Sequence, residues 1–130
     1  MDFMQEYEKW LASPALSQAE KDELAALKSD PKEIEARFYG PLEFGTAGLR
    51  GTMAVGLHNM NVHVIRHATQ AFAEVILAEG GDAAKRGVAI CMDCRNHSLE
   101  FAREAAGVMV ANGVNVRIFE SLRPTPELSF

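Results

Sequence analysis

Residues 87–119, GVAICMDCRNHSLEFAREAAGVMVANGVNVRIF, decide the fold and read as strand, helix, strand. Val88 to Met92 is a continuous apolar run of strand length, the pattern of a strand covered on both faces. Ser98 is the predicted cap of the helix, and Phe101, Ala102, Ala105, Ala106 and Met109 return at helical spacing as its buried stripe. Asn112-Gly113 stops the helix, because glycine readily takes the left-handed conformation that ends one. Val114 to Phe119 then alternates as a second strand. Strands joined by a helix of this length pair in parallel, with a right-handed crossover. The predicted fold class is α/β: a small mixed β-sheet flanked by helices in three layers, αβα, preceded by a helical N-terminal segment.

Toward the N-terminus, Asn61 caps an amphipathic run to Glu79, with Ile65, Ala68, Phe72, Val75 and Ile76 on one face and Gly80-Gly81 at its end. Before it, Leu42 to Asn61 holds four glycines, Gly45, Gly48, Gly51 and Gly56, among short apolar pieces. Helix is disfavoured there, and bent strands or a hairpin with tight turns fit better. The first forty residues are punctuated as short helices. Phe3, Trp10 and Leu11 give one an apolar face, and it fails at Ser13-Pro14. Ser17 with Glu20 makes a capping box before Leu24 and Leu27, and Asp30-Pro31-x-Glu33 starts a third helix. Gly40-Pro41 closes it, with the glycine as left-handed cap. The expected organisation is a helical segment over residues 1–41 and a domain over 42–130. After the second strand, Pro124 and Pro126 mark a loop, and Leu128 to Phe130 starts a further element.

The whole chain has 130 residues, 48% hydrophobic and 24% charged, enough apolar surface to offset the entropy of ordering one core. Its formal net charge of -5 comes with no Lys/Arg cluster, which argues against a nucleic-acid or anionic-membrane surface. No apolar run approaches the ~20 residues that span a bilayer. The acidic start MDFMQEYEKW lacks the layout of a signal peptide, so a cytoplasmic protein is expected. Two cysteines three apart make no disulfide framework.

The chemistry concentrates in Phe44-Gly45-Thr46-Ala47-Gly48-Leu49-Arg50-Gly51. Small residues let a backbone approach a ligand, and one guanidinium offers a planar fork to phosphate or carboxylate. A plain glycine-rich hairpin with an exposed Arg is the competing reading. No dinucleotide fingerprint and no Walker loop is present. Cys91 and Cys94 have redox-motif spacing, yet end a strand and read as packing thiols. His63 and His67, four apart on a helix without a third ligand, read as a solvated face. His58 and His97 fall in loops.

FGTAGLRG at 44–51, then Met53 and Gly56, Asn59-Met60-Asn61, and Ile65-x-x-Ala68-Thr69-Gln70 resemble the opening of the α-D-phosphohexomutases, which include the phosphoglucomutases and phosphomannomutases. The resemblance continues at Asp93-x-Arg95-x-x-Ser98, Phe101-Ala102, Ala111-Asn112-Gly113 and Pro124-Thr125-Pro126-Glu127-Leu128-Ser129-Phe130. It runs in register from about Leu42 to the last residue. The helical segment is similar to that of the phosphoglucomutase/phosphopentomutase branch.

The resemblance implies that Thr46, Gly48 and Arg50 line an active site around a phosphoserine or hexose phosphate substrate, with Asp93 and Arg95 behind them. An Asp93–Arg95 pair fixing a strand-to-helix turn is the alternative. It also implies Mg²⁺ and a hexose bisphosphate activator in the intact enzyme. The phosphoserine motif of such enzymes, of Thr-Ala-Ser-His-Asn-Pro type, and their Asp-Gly-Asp-x-Asp-Arg metal loop do not occur in these residues. Ser98 reads as a cap and Ser129 as part of a helix, so neither replaces the nucleophile. The expectation is an incomplete first domain, inactive alone, with nothing bound and a truncated edge open to self-association. A non-catalytic module, complete at 130 residues and binding an anion or a protein partner, is the alternative.

Overall fold

The computed structural model describes residues 2–45, 48–92, 97–119 and 121. Three helices, a strand pair and two helices precede a strand–helix–strand unit, and the fold is of the expected α/β class. The chain divides into two compact units, Met1–Val64 and Ile65–Phe130.

The first unit opens with α1 (Phe3–Leu11), α2 (Gln18–Ala25) and α3 (Pro31–Phe38). Each start is capped as a helix requires, by a side-chain oxygen that takes an orphan N–H. Asp2 accepts from Met4 N at 2.9 Å, Ser17 and Glu20 form a reciprocal capping box, and Asp30 accepts from Glu33 N at 3.2 Å before Pro31. The three helices pack Tyr7, Leu16, Leu24, Ile34 and Phe38 into one cluster that also takes in Val55. Phe38 is fully buried, with Tyr7 and Trp10 edge-on at 5.8 and 5.6 Å. Burying a ring of this size stabilises by about 2–3 kcal/mol. The buried Tyr7 hydroxyl donates to Leu24 O at 2.8 Å and so carries no desolvation penalty.

The end of α3 differs from expectation. Its cap is Tyr39 in right-handed geometry, and Gly40 is not among the glycines of positive φ. The terminal carbonyl of Arg37 is instead satisfied from a distant loop, by His58 N at 2.8 Å. A helix end met by tertiary hydrogen bonds needs no left-handed cap.

That loop follows a small antiparallel hairpin, β1 (Phe44–Gly45) with β2 (Gly48–Leu49). Its organiser is Asn61. The amide donates to Ala54 O at 3.0 Å and Gly56 O at 2.9 Å, while Oδ1 caps the next helix through Val64 N at 3.0 Å. Gly56, at φ +142, lies where a Cβ would meet Arg37 Cβ at 2.9 Å, so backbone conformation and close approach both demand glycine. Arg37 ties the loop to the helices: it donates to Val55 O at 3.1 Å, Glu33 at 2.9 Å and Glu23 at 3.2 Å.

The division between units falls in the first turn of α4 (Val62–Glu79), which is followed by α5 (Ala83–Arg86), β3 (Val88–Ile90), α6 (Ser98–Ala111) and β4 (Val116–Ile118). β3 and β4 pair in parallel, Val88 with Val116 through Ile90 with Ile118, as a strand–helix–strand unit predicts. Gly80, Gly81 and Gly113 take positive φ at helix ends, as expected.

The second unit's core is Ala73, Met109 and Val114, with Ile76, Ala84, Val88 and Val116 against it. This corrects the expected stripe on α4. Phe72 and Val75 are exposed, 54% and 65%, because the face that packs carries Ala73 and Ile76, one residue round the helix. Gln70 and Asn112 join α4 to α6 through reciprocal amide hydrogen bonds of 2.8 and 3.1 Å. Two further expectations are corrected. The strand expected over Val88 to Met92 is the three-residue β3, with Ala89 exposed rather than covered on both faces. Ser98 is the first residue of α6, and the cap is His97 at φ 63, whose Nδ1 lies 2.8 Å from the Glu100 carboxylate. Among the described residues, no helix is long and apolar enough to cross a membrane.

Candidate functional site

The glycine-rich hairpin is built almost entirely of backbone. Phe44 pairs with Leu49 and Gly45 with Gly48. Gly48 holds φ +113, a conformation L side chains rarely adopt, and nothing stands within 4 Å of where its Cβ would be. The glycine is therefore required by dihedral angle and not by crowding, and the main chain there stays open to a ligand. Phe44 is 70% exposed. Arg50, at the exit of β2, is exposed and makes no hydrogen bond or ion pair among the described residues. An uncommitted guanidinium beside open backbone is a receptor for an anion with two oxygens to offer.

Of the residues singled out by sequence, Gly48 and Arg50 lie together on this hairpin. Thr46, between the two strands, lies outside the described residues, as do Asp93, Arg95 and Cys94. Cys91 is a half-buried free thiol.

Two histidines, His63 expected on a solvated face and His58 in a loop, are engaged in the first unit. His63 is not on a solvated face: its Nε2 lies 2.6 Å from Glu20 Oε2, and Trp10 stands edge-on to the ring at 5.8 Å. Burial pushes the Glu20 carboxyl up. Hydrogen bonds from Ser17 and His63, and the His63 charge, outweigh it and hold the group below the ordinary glutamate range. Both carboxylate oxygens are engaged, one by Ser17 N and one by His63, so Glu20 acts as a structural clasp. His58 sits between Tyr39 and the carbonyls of Gly40 and Pro41. No residue pattern announces these pairs, because the partners are 43 and 17–19 positions apart. His67 is exposed. Among the described residues, no group of three or more His, Cys, Asp or Glu could hold a metal ion.

Comparison with known proteins places this hairpin at the start of a recognised domain. Residues 41–130 match the family description "Phosphoglucomutase/phosphomannomutase, alpha/beta/alpha domain I". Similar proteins include a phosphopentomutase of Mus musculus, 36% identical over 91% of this chain and 20% of its own length. A Staphylococcus saprophyticus phosphoglucomutase is 36% identical over 76% of this chain and 17% of its own. A Mycoplasma pneumoniae phosphomannomutase is 30% identical over 93% of this chain and 22% of its own. The chain thus spans about a fifth of the length of these relatives. No solved structure matches it significantly. The chain belongs to the phosphoglucomutase/phosphomannomutase family.

Proposed function

We propose that this chain is the opening part of a phosphosugar mutase, in which the 44–50 hairpin borders the site where a sugar phosphate exchanges its phosphoryl group. The observation that carries the reading is Arg50, a guanidinium without a partner among the described residues, beside the open backbone of Gly48. Thr46, Gly48 and Arg50 are the residues assigned to that lining, and Asp93 and Arg95 are assigned a supporting role. Residues 1–41 are assigned to the helical preface and 42–130 to the domain proper by the family match beginning at 41, a boundary distinct from the packing division at Val64.

The reaction is reversible migration of a phosphoryl group between C1 and C6 of a hexose phosphate, through a phosphoserine and a bisphosphate intermediate. Catalysis of such transfer is mostly positioning and neutralisation of charge on the phosphoryl oxygens. Arg50 contributes the second: its fork pairs with two non-bridging oxygens of an incoming phosphate. Gly48 leaves room for the phosphate to come within hydrogen-bonding distance of main-chain N–H. The nucleophilic serine and the Mg²⁺ loop belong to other parts of a longer protein. The names of the relatives span pentose and hexose, so sugar phosphate is the substrate class. The chain by itself is inactive, and a cytoplasmic enzyme fits its composition.

A coupled assay with glucose 1-phosphate, Mg²⁺ and a hexose bisphosphate tests this, run on the 130-residue chain and on a full-length mutase carrying it. Activity in the longer protein alone supports the reading. Activity in the 130-residue chain would show that it holds a nucleophile of its own, and a pair inactive with glucose 1-phosphate, mannose 1-phosphate and ribose 1-phosphate alike would end the mutase reading. In the active protein, Arg50→Ala should lower kcat/KM by about 10- to 100-fold, the loss of one charge-assisted phosphate contact, without moving the melting temperature. The isolated chain should also self-associate, because Phe72, Val75, Leu99, Val110 and Ile118 stand exposed in the second unit. Sedimentation at rising concentration checks it, and a constant monomer mass would refute it.

A further inference from the structure

We propose that Tyr39 and His58 form a latch that sets the base of the glycine-rich hairpin, making His58 a positioning residue for Arg50. The proposal rests on the mutase reading for its kinetic consequence and on hydrogen-bond geometry for the latch itself.

One imidazole holds three consecutive residues. His58 Nδ1 lies 3.2 Å from Gly40 O and 3.3 Å from Pro41 O, and Nε2 lies 2.8 Å from the Tyr39 hydroxyl. Carbonyl oxygens only accept, so Nδ1 carries the proton. In the neutral ring Nε2 is then the acceptor, and Tyr39 donates to it. The two rings also lie against each other, centroids 4.4 Å apart. The geometry fixes both tautomer and orientation without help from any charged group.

The latch stands where both legs of the hairpin are tied down. On the entering leg, Leu42 N donates to Leu57 O at 3.3 Å. On the leaving leg, Met60 N donates to Thr52 O at 2.8 Å. The legs also touch each other: a Cβ on Gly51 would lie 3.1 Å from Leu42 Cδ1. His58 therefore lies between the two anchors, Leu57 and Met60, and its own N–H is held by Arg37 O at 2.8 Å. The ring fixes residues 39–41, from which the entering leg departs, against the segment that receives the leaving leg. Arg50 lies one residue before Gly51, on the leg so fixed. A shift at the base moves its guanidinium, and a displacement of about 1 Å in a positioned group is enough to cost catalysis heavily.

Trypsin reads the latch, because cleavage at the exposed Arg50–Gly51 bond quickens as the hairpin opens more often. Cleavage at that bond, located by mass spectrometry in the 130-residue chain, should be about tenfold faster in His58→Ala, as expected for the net loss of these hydrogen bonds. His58→Asn should return to within about twofold of wild type, since its amide nitrogen can take the place of Nδ1. Tyr39→Phe, at a half-exposed ring, should keep the wild-type melting curve and speed cleavage about threefold. It decides the matter if His58→Ala fails to fold. In the full-length mutase, His58→Ala should lower kcat about tenfold with KM changed less than about threefold, and His58→Asn should restore it. Unchanged cleavage in both His58→Ala and Tyr39→Phe would overturn the latch. Faster cleavage with unchanged kcat would overturn the positioning role. A wild-type protein without mutase activity would sink the proposed function, while the cleavage rates would still decide the latch.

Discussion

Gly87→Ala should open the parallel strand pair, and the size of the effect follows from three features of that one position. Gly87 sits at φ 73 and ψ -161, a region essentially closed to other residues. An added Cβ would stand 2.2 Å from Asn115 O and 2.8 Å from its carbonyl carbon, both backbone atoms of the chain entering β4. That same carbonyl accepts the Val88 N–H at 2.9 Å, the hydrogen bond that starts the β3–β4 ladder. The substitution must move Gly87 or Asn115, and either movement breaks that bond. Backbone strain of about 1–3 kcal/mol and a lost hydrogen bond of about 0.5–1.5 kcal/mol sum to roughly 2–4 kcal/mol. Native-state hydrogen exchange at the Val88 and Phe119 amides measures it, since Phe119 N closes the far end of the pair on Ile90 O. Exchange should accelerate about 30- to 700-fold at a tenfold per 1.4 kcal/mol. Gly107→Ala is the internal contrast. Gly107 lies within α6 with nothing within 4 Å of an added Cβ, so alanine there should stabilise by up to about 1 kcal/mol. Exchange within about threefold of wild type in Gly87→Ala would refute the argument from close approach.

The Glu20 clasp predicts a pH effect. A carboxyl held below its unfolded pKa stabilises fully above that ordinary range and loses the contribution as pH falls through the lowered folded value. The urea midpoint followed from about pH 7 to about pH 3 should therefore fall less steeply in Glu20→Gln than in wild type. Equal slopes would mean that the clasp is not linked to protonation. Phe38→Ala removes the most enclosed ring of the first unit and should cost about 3–5 kcal/mol, read as loss of cooperative urea unfolding in that unit. A cost under about 1 kcal/mol would mean that Tyr7 and Trp10 refill the space.

The parts of the fold legible in sequence are those fixed by contacts a few residues apart. Ser17 with Glu20, Asp30 with Glu33, and Asn61 with Val64 are local hydrogen bonds, and each formed as its pattern foretold. The parallel pairing of β3 with β4 followed from chain length alone. What escaped was set by tertiary fit. Periodicity assigns α4 an apolar side but does not tell Phe72 from its neighbour Ala73, which is the one that packs with Met109 and Val114. Tyr39 replaces Gly40 as a cap because a carbonyl of α3 found a partner 21 residues on, and Ser98 yields its place to His97 beside Glu100 and Phe101. Within the site, the glycine and arginine of the hairpin were readable from residue type. The imidazole beneath them was not, since nothing in GLHNMN distinguishes a loop histidine from a clamp.

Arg37 gives the N-terminal helices a standing that their position in the chain does not suggest. Its guanidinium spans Glu23, Glu33 and Val55 O, while Val55 itself closes the pocket of Tyr7, Leu24 and Phe38. A trimmed protein beginning at residue 42 would lose more than a decoration. It would bare one wall of the loop that follows the hairpin and leave the Val55 carbonyl with the Asn59 amide in place of two donors. Any shortened or chimeric version must supply a substitute lid there, or carry the first 41 residues along as part of the same folding piece.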